Sequence, residues 1–274
     1  MPELPEVETI RAYLADQIVG KPVLSVPHLD GRMIKLGECD VDGLTTNLVG
    51  RQLSAVDRRG KYLLFCWPPH GYLVVHLGMS GRLTVQPSSD AFLPHTHMVI
   101  RFSDLDLRLR DPRRFGRVGW LKERGSLDAH LGIEPLSREF TGQYLAHKLE
   151  GRSAPIKALL LNQAIVAGLG NIYVDEALYL SRIHPAQPAK HVGATRAAEL
   201  ARNIRRVLRQ SLKNRGTSFS DYVDALGEPG RNQDYLKVYG RRGQSCLRCG
   251  SAIETMVIGG RTSHFCSRCQ PLPA

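Results

Sequence analysis

The 274-residue sequence has no apolar run of membrane-spanning length, and its start shows no signal-peptide pattern. Those two absences exclude an integral α-helical membrane protein and predict a cytosolic or nucleoid location of the bacterial type. No internal repeat or low-complexity tract is present, which excludes solenoid arrays. Cysteine is scarce ahead of residue 246: of six in the chain, only Cys39 and Cys66 lie there, both isolated. Both read as thiols of a reducing compartment, Cys66 within an apolar run, and no disulfide framework is expected. The C-terminal half is short of acid. Residues 151–274 hold 18 Lys+Arg against 8 Asp+Glu, whereas residues 1–150 hold 19 against 18. Nearly all of the formal net charge of +11 therefore sits in one half, an imbalance that points to a polyanion, nucleic acid above all.

What is present starts at the first residues, Met1-Pro2-Glu3-Leu4-Pro5-Glu6-Val7-Glu8. Removal of Met1 is expected before a small second residue and would leave Pro2 as a free secondary amine. An α-amino group titrates near ~8, so part of it is nucleophilic at neutral pH. Glu3 beside it is a candidate proton donor. Pro5 at a first-turn position, acidic Glu6 and Glu8, and the stripe Val7, Ile10, Leu14 and Ile18 predict a helix start. These residues fit a covalent catalyst, but taken alone they are more simply read as an ordinary capped helix with a trimmed terminus.

Period-two runs follow. Residues 61–67 and 72–77 are strands joined by Pro68-Pro69-His70-Gly71; residues 96–102 and 105–110 flank Ser103-Asp104; residues 118–121 continue the pattern. In 105–110, Leu105, Leu107 and Leu109 alternate with Asp106, Arg108 and Arg110, as in a strand buried on one face. A β-sandwich or barrel entered by the first helix is expected over about 20–130. Near Ser137 the period becomes helical. Helices are expected from Ser137 to about Leu149, from Pro155, over 173–181 and over 195–213. The last carries Arg202, Arg205, Arg206, Arg209 and Lys213 opposite its apolar face. Polar, glycine-bearing 216–230 reads as a mobile loop.

Cys246-x2-Cys249 and Cys266-x2-Cys269, with sixteen residues between the pairs, have four-thiolate zinc spacing. Segments 252–258 and 262–265 around Gly259-Gly260 read as the hairpin of a zinc ribbon with one structural ion. Gly168-Leu169-Gly170-Asn171 between two helices could bring backbone N–H groups to a phosphate or simply pack. The turns Leu77-Gly78-Met79-Ser80-Gly81 and Asp111-Pro112-Arg113-Arg114-Phe115-Gly116 could supply apolar wedges and guanidiniums to a protein that extrudes a nucleotide, or could be ordinary core turns.

Taken in order, the opening Pro2–Thr9 stretch, Gly60-Lys61-Tyr62, His76–Gly81, Asp111–Gly116, Gly132–Ser137, Gly170-Asn171-Ile172-Tyr173, Val238-Tyr239-Gly240-Arg241 and the four cysteines resemble the bacterial formamidopyrimidine-DNA glycosylases along essentially the whole chain. The resemblance implies an α+β chain in three parts: a catalytic β-sandwich domain at 1–135, a helix–two-turns–helix DNA-binding domain at 136–235, and a four-cysteine zinc finger at 236–274. It implies a bifunctional glycosylase and AP lyase of base excision repair, a monomer acting on damaged duplex DNA. Pro2 would be the nucleophile and Glu3 the proton donor. Lys61 would bind phosphate and serve β-elimination, and Arg261 δ-elimination. Met79, Arg113 and Phe115 would fill the gap left by an everted oxidised purine such as 8-oxoguanine or formamidopyrimidine. Glu6, His95, Arg114, Arg152, Asn171 and Tyr239 would make further DNA contacts, and 216–230, including Thr217-Ser218-Phe219-Ser220-Asp221-Tyr222, would close on the base. The related endonuclease VIII branch, which prefers oxidised pyrimidines, is the nearest alternative; Leu4, Met79, Arg113 and Phe115 favour the purine branch. A non-enzymatic zinc-ribbon DNA-binding protein would need only the basic half.

Overall fold

The protein is described by a computed structural model that covers residues 1–37, 39–219 and 222–272. Its first helix, α1 (Leu4–Ile18), has Glu3 as N-cap and Pro5 in the first turn, where a missing N–H costs nothing. Leu4, Val7, Ile10, Leu14 and Ile18 are fully buried, so this one helix contributes about 1.5–3 kcal/mol of apolar burial at each of five positions. Next come β1 (Ser25–Leu29), β2 (Ile34–Gly37), α2 (Val41–Leu48), β3 (Ala55–Arg59), β4 (Tyr62–Trp67), β5 (Gly71–His76), β6 (Arg82–Pro87), β7 (Thr96–Arg101), β8 (Leu105–Arg110), β9 (Arg117–Leu121) and a short α3 (Gly125–Asp128). They form a four-stranded sheet in the order β1-β7-β8-β6 and a five-stranded sheet in the order β2-β9-β5-β4-β3, antiparallel except for β2 against β9. Met98, Ile100, Leu107 and Leu109 of one sheet share a core with Leu63, Phe65, Leu73, Val75 and Trp120 of the other and with the buried face of α1. The expected sandwich is present.

The rest of the chain is α4 (Gly142–Leu149), α5 (Ile156–Leu161), α6 (Asn171–Leu180), α7 (Gly193–Lys213) and the hairpin β10 (Glu254–Ile258) and β11 (Arg261–Phe265). Gly259 and Gly260 both take left-handed φ, 56° and 71°, which is the two-residue turn that matches strand twist. By contact the chain separates into two compact units: Met1–Ala129 with Leu212–Gln233, and His130–Ser211 with Asp234–Ala274. Segment 212–233, assigned from sequence to the helical part, thus belongs to the first unit.

Several local expectations are corrected. β8 is buried on both faces, not one: Asp106 is 0% exposed and Arg108 2%. Arg108 donates to Gln86 Oε1 and to the carbonyls of Pro87, Asp90 and Ala91, so the 86–91 connection covers a face that would otherwise be wet. Asp106 also accepts from Arg101 and Arg108. The helix expected from Ser137 begins five residues later. Thr141 supplies the cap, its hydroxyl accepting from the Tyr144 N–H at 3.0 Å. On α7, Arg205 does not project freely, because it donates to the carbonyls of Pro135 and Ser137.

Candidate active site and nucleic-acid interface

In the first unit, Pro2 and Glu3 lie buried at the mouth of α1. Glu3 and Glu6 form a reciprocal capping box in which Glu6 Oε2 accepts the Glu3 N–H at 2.8 Å. The other oxygen of Glu6 accepts the Thr217 N–H, also at 2.8 Å. Glu6, expected among DNA contacts, is only 2% exposed and instead ties the helix start to the base of the 216–230 segment. Of that segment, Ser220 and Asp221 lie outside the described residues. The remainder is internally bonded: Ser218 Oγ donates to the Tyr222 carbonyl, Asn232 donates to Thr217 Oγ1, and buried Asp224 accepts from the N–H groups of Leu226 and Glu228.

Lys61 sits at the turn between β3 and β4 and is 6% exposed, not the solvated strand-end residue its position suggests. Across the β4–β5 ladder, His76 pairs with Tyr62, the rings 4.8 Å apart. Burial first, then the charges of Lys61 and Arg117, depress the His76 pKa to about 4. Its Nδ1 accepts the Gly78 N–H at 3.1 Å, so the ring is neutral near pH 7 and fixes the turn that carries Met79.

Met79, Arg113, Arg114 and Phe115 are all exposed, on two touching turns. A Cβ on Gly78 would lie 2.5 Å from the Phe115 carbonyl carbon, so glycine is required for that approach, and its φ is 62°. The Arg113 guanidinium lies 4.6 Å from the centre of the Phe115 ring. His95 is exposed with φ 67°, and its carbonyl accepts the Asp111 N–H. Asp30 accepts two hydrogen bonds from the Arg32 guanidinium and lies 3.6 Å from Arg114; Arg32 above all holds its pKa down at about 2.

In the second unit, α5 and α6 are joined by turns at 162–170, and Gly170 caps α6. Asn171 donates through Nδ2 to the Thr262 carbonyl at 2.9 Å. Lys157, fully buried, donates to the same carbonyl at 3.0 Å and to Asp175 Oδ1 at 2.6 Å; Asp175 Oδ2 accepts the His264 N–H. Arg261, exposed at the start of β11, therefore stands next to a carbonyl held twice. Glu176 accepts the N–H groups of Lys237, Val238 and Tyr239 on one carboxylate. Tyr239 is half-buried, its ring 4.7 Å from His264, while Arg152 is exposed between α4 and α5.

The four cysteine sulfurs all lie within 4.8 Å of one another, with Cys246 to Cys269 at 3.9 Å and Cys249 to Cys266 at 3.5 Å. A tetrahedral zinc with Zn–S near ~2.3 Å needs sulfurs about 3.8 Å apart, so the donor set fits. Tyr179 places its hydroxyl 3.2 Å from Cys246 Sγ. Cys66, by contrast, is a buried thiol pushed up to about 12 by burial and Asp57.

Sequence reading missed Asp111, Lys157, Asp175 and Glu176 as organising groups. A lone lysine in the apolar run Ile156–Leu161 and adjacent carboxylates inside a largely apolar helix were the available signals.

A β-sandwich entered by a reciprocally capped helix, a helical pair joined by turns and a four-thiolate hairpin define an α+β protein of the zinc-finger-bearing class. Family models match successive parts of the chain: the formamidopyrimidine-DNA glycosylase N-terminal domain at 1–118, the H2TH domain of the same family at 131–222, and the zinc finger found in FPG and IleRS at 243–272. The formamidopyrimidine-DNA glycosylase of Roseiflexus sp. (strain RS-1) is 45% identical over 98% of this chain and 100% of its own, and that of Syntrophotalea carbinolica is 44% identical over the same shares. A Lactococcus lactis FPG mutant bound to Fapy-dG DNA superposes with a TM-score of 0.92 at 35% identity, over 98% of this chain and 100% of that one. MutM bound to carbocyclic 8-oxo-G DNA gives 0.91, again at 35% identity and with the same coverage. The chain belongs to the formamidopyrimidine-DNA glycosylase family, and its four cysteines form a site for one structural zinc ion.

Proposed function

We propose that the protein is a bifunctional DNA glycosylase and AP lyase of base excision repair, removing oxidised purines such as 8-oxoguanine and formamidopyrimidines from duplex DNA. The observation that carries this reading is the buried, reciprocally capped N-terminus, which gives Pro2 and Glu3 one rigid placement. After loss of Met1, the Pro2 nitrogen attacks the sugar C1′. The glycosidic bond breaks and the base leaves with a proton, while Glu3 protonates the ring oxygen as the sugar opens. The resulting iminium acidifies C2′–H, so the C3′–O bond breaks by β-elimination and the C5′–O bond by δ-elimination. Lys61 serves the first elimination and Arg261 the second, each also pairing with phosphate.

Met79, Arg113 and Phe115 fill the gap left by the extruded nucleotide, Arg113 facing the orphaned base. His95, Arg114, Arg152, Asn171 and Tyr239 contact the DNA backbone, and Glu6 acts from within by holding the helix start. On this reading the chain divides functionally near 135 and 235 into catalytic, helical DNA-binding and zinc-finger parts. On the same reading it works as a monomer in the bacterial cytosol or nucleoid; among the described residues no helix is long and apolar enough to cross a membrane.

The test is borohydride trapping on duplexes carrying 8-oxoguanine opposite C, or thymine glycol. A covalent adduct is expected with the first and is lost in Pro2→Gly. No adduct on either duplex overturns the enzymatic reading, and strong preference for thymine glycol moves the protein to the endonuclease VIII branch.

A further inference from the structure

The two turns that bear Met79 and Arg113–Phe115 come from separate strand connections, yet one residue binds both. Asp111 is 0% exposed. Its Oδ1 accepts from Ser80 Oγ in the Met79 turn at 2.5 Å and from the Arg113 N–H at 3.2 Å. Its Oδ2 accepts the Gly116 N–H at 2.7 Å, directly after Phe115. Its backbone continues the pattern: the N–H donates to the His95 carbonyl, and the carbonyl accepts from the Arg114 N–H and lies 3.0 Å from His97 Nε2. The two flanking partners, His95 and Arg114, have φ of 67° and 52°, a conformation non-glycine residues hold only when their surroundings impose it. Lys35 adds a further tie from its Nζ to the Arg114 carbonyl.

A carboxylate is suited to this position. Three donors converge on it from one side of the Met79 turn and two points of the 111–116 turn, and a buried acceptor so satisfied is a rigid joint. An amide of the same shape would turn an NH2 group toward at least one of those donors, leaving donor facing donor in a buried site.

We propose that Asp111 is a positioning residue that locks Met79, Arg113 and Phe115 into one probe, so that its carboxylate governs how completely the protein fills a duplex gap without itself touching DNA. The proposal rests on the reading of those three side chains as gap fillers. It predicts that loosening the joint damages base extraction from duplex and spares chemistry that needs no extraction.

Three measurements test it on the full-length zinc-loaded protein. The first is single-turnover excision of 8-oxoguanine from duplex. The second is borohydride trapping on a single-stranded abasic oligonucleotide, where no gap exists. The third is fluorescence of 2-aminopurine placed opposite the lesion, which reports unstacking of the orphaned base. Asp111→Asn is expected to slow duplex excision by about 10- to 100-fold, the order of loss that misplacement by roughly an ångström causes, to diminish the fluorescence change, and to leave single-strand trapping within about twofold. Ser80→Ala removes one joint and is expected to lose less in the same direction, which covers the case in which Asp111→Asn folds poorly. In a background of Met79→Ala, Arg113→Ala and Phe115→Ala, adding Asp111→Asn should cost less than about twofold more, because a residue acting only through those three has nothing left to position. Equal loss on duplex and single strand, or full additivity in that background, overturns the proposal in favour of a general packing role. Unchanged duplex excision in both Asp111→Asn and Ser80→Ala overturns it outright. A wild-type protein that forms no adduct on any substrate would instead overturn the glycosylase reading, and the proposal with it.

Discussion

The tip of the zinc hairpin and the paired turns at 77–81 and 111–116 are both irregular backbone that must be held still, and they are held by different means. The turns are fixed by one buried carboxylate receiving a hydroxyl and two backbone N–H groups, all neutral donors. The hairpin tip is fixed at a carbonyl: the Lys157 ammonium and the neutral Asn171 amide both donate to the Thr262 carbonyl, Lys157 is paired with buried Asp175, and two cysteine pairs separated by sixteen residues converge on a metal position. The physical reason is size. The turns rest on a sandwich core that already supplies the burial, so a few hydrogen bonds suffice. Among the described residues the finger buries few apolar side chains, with Val238, Cys246, Ile253 and Cys266 clustered on Tyr179 of α6 and Ile258 and Phe265 buried nearby, and a segment of this length folds poorly on so small a core without metal.

The largest expected effect follows from that asymmetry. Removing the zinc by chelation, or replacing one ligand by Cys249→Ser, should release the hairpin and with it Arg261. Metal binding to such sites supplies about 10 kcal/mol or more of folding free energy. Affinity for abasic duplex should fall by at least about tenfold, while the thermal transition of the first unit stays in place. Full DNA affinity in demonstrably metal-free protein would show that the finger is not what positions the basic tip.

Next in size is the buried pair. Lys157→Met removes the ammonium paired with fully buried Asp175, and removing one partner of such a pair costs about 3–5 kcal/mol. Chemical denaturation should show that loss, and Lys157→Met combined with Asp175→Leu should recover much of it. If the single variant were as stable as wild type, the pair would be dispensable and the contrast with Asp111 would collapse.

How far this contrast was legible in the sequence differs between its two sides. The thiolate spacing and the Gly259-Gly260 turn announced the hairpin, because metal ligands and left-handed glycines are local, short-range signals. The α1 stripe and the strand runs were equally visible, since period and burial coincide there. Asp111 was visible as the first residue of a turn and not as its joint, since Ser80 lies 31 positions away. Lys157 and Asp175 meet across 18 positions, and their common partner Thr262 lies 105 from Lys157. Arg108 looked solvated because its alternation with leucines was strict; the covering connection at 86–91 carries no periodicity that could have revealed it. Buried polar joints are set by tertiary meeting points, and a pattern confined to one element does not encode them.

The smallest of the expected effects sharpens the comparison on the side of the turns. His76 holds the Gly78 N–H through Nδ1, and its pKa is depressed from 6.5 to about 4, chiefly by burial and then by the charges of Lys61 and Arg117. The folded protein therefore binds fewer protons than the unfolded chain between those values. A group of this kind contributes stability that is present above the unfolded pKa and is lost as pH falls through the window from about 6.5 to about 4. Full protonation would cost up to about 3 kcal/mol. His76→Gln, whose side-chain oxygen can still accept the Gly78 N–H, should flatten this part of the stability–pH curve relative to wild type. Duplex excision should be lost in wild type at a higher pH than trapping on single-stranded abasic DNA, because the protonated ring can no longer accept from Gly78 and the Met79 turn loosens first. A stability profile as steep in His76→Gln as in wild type would place the acid sensitivity elsewhere.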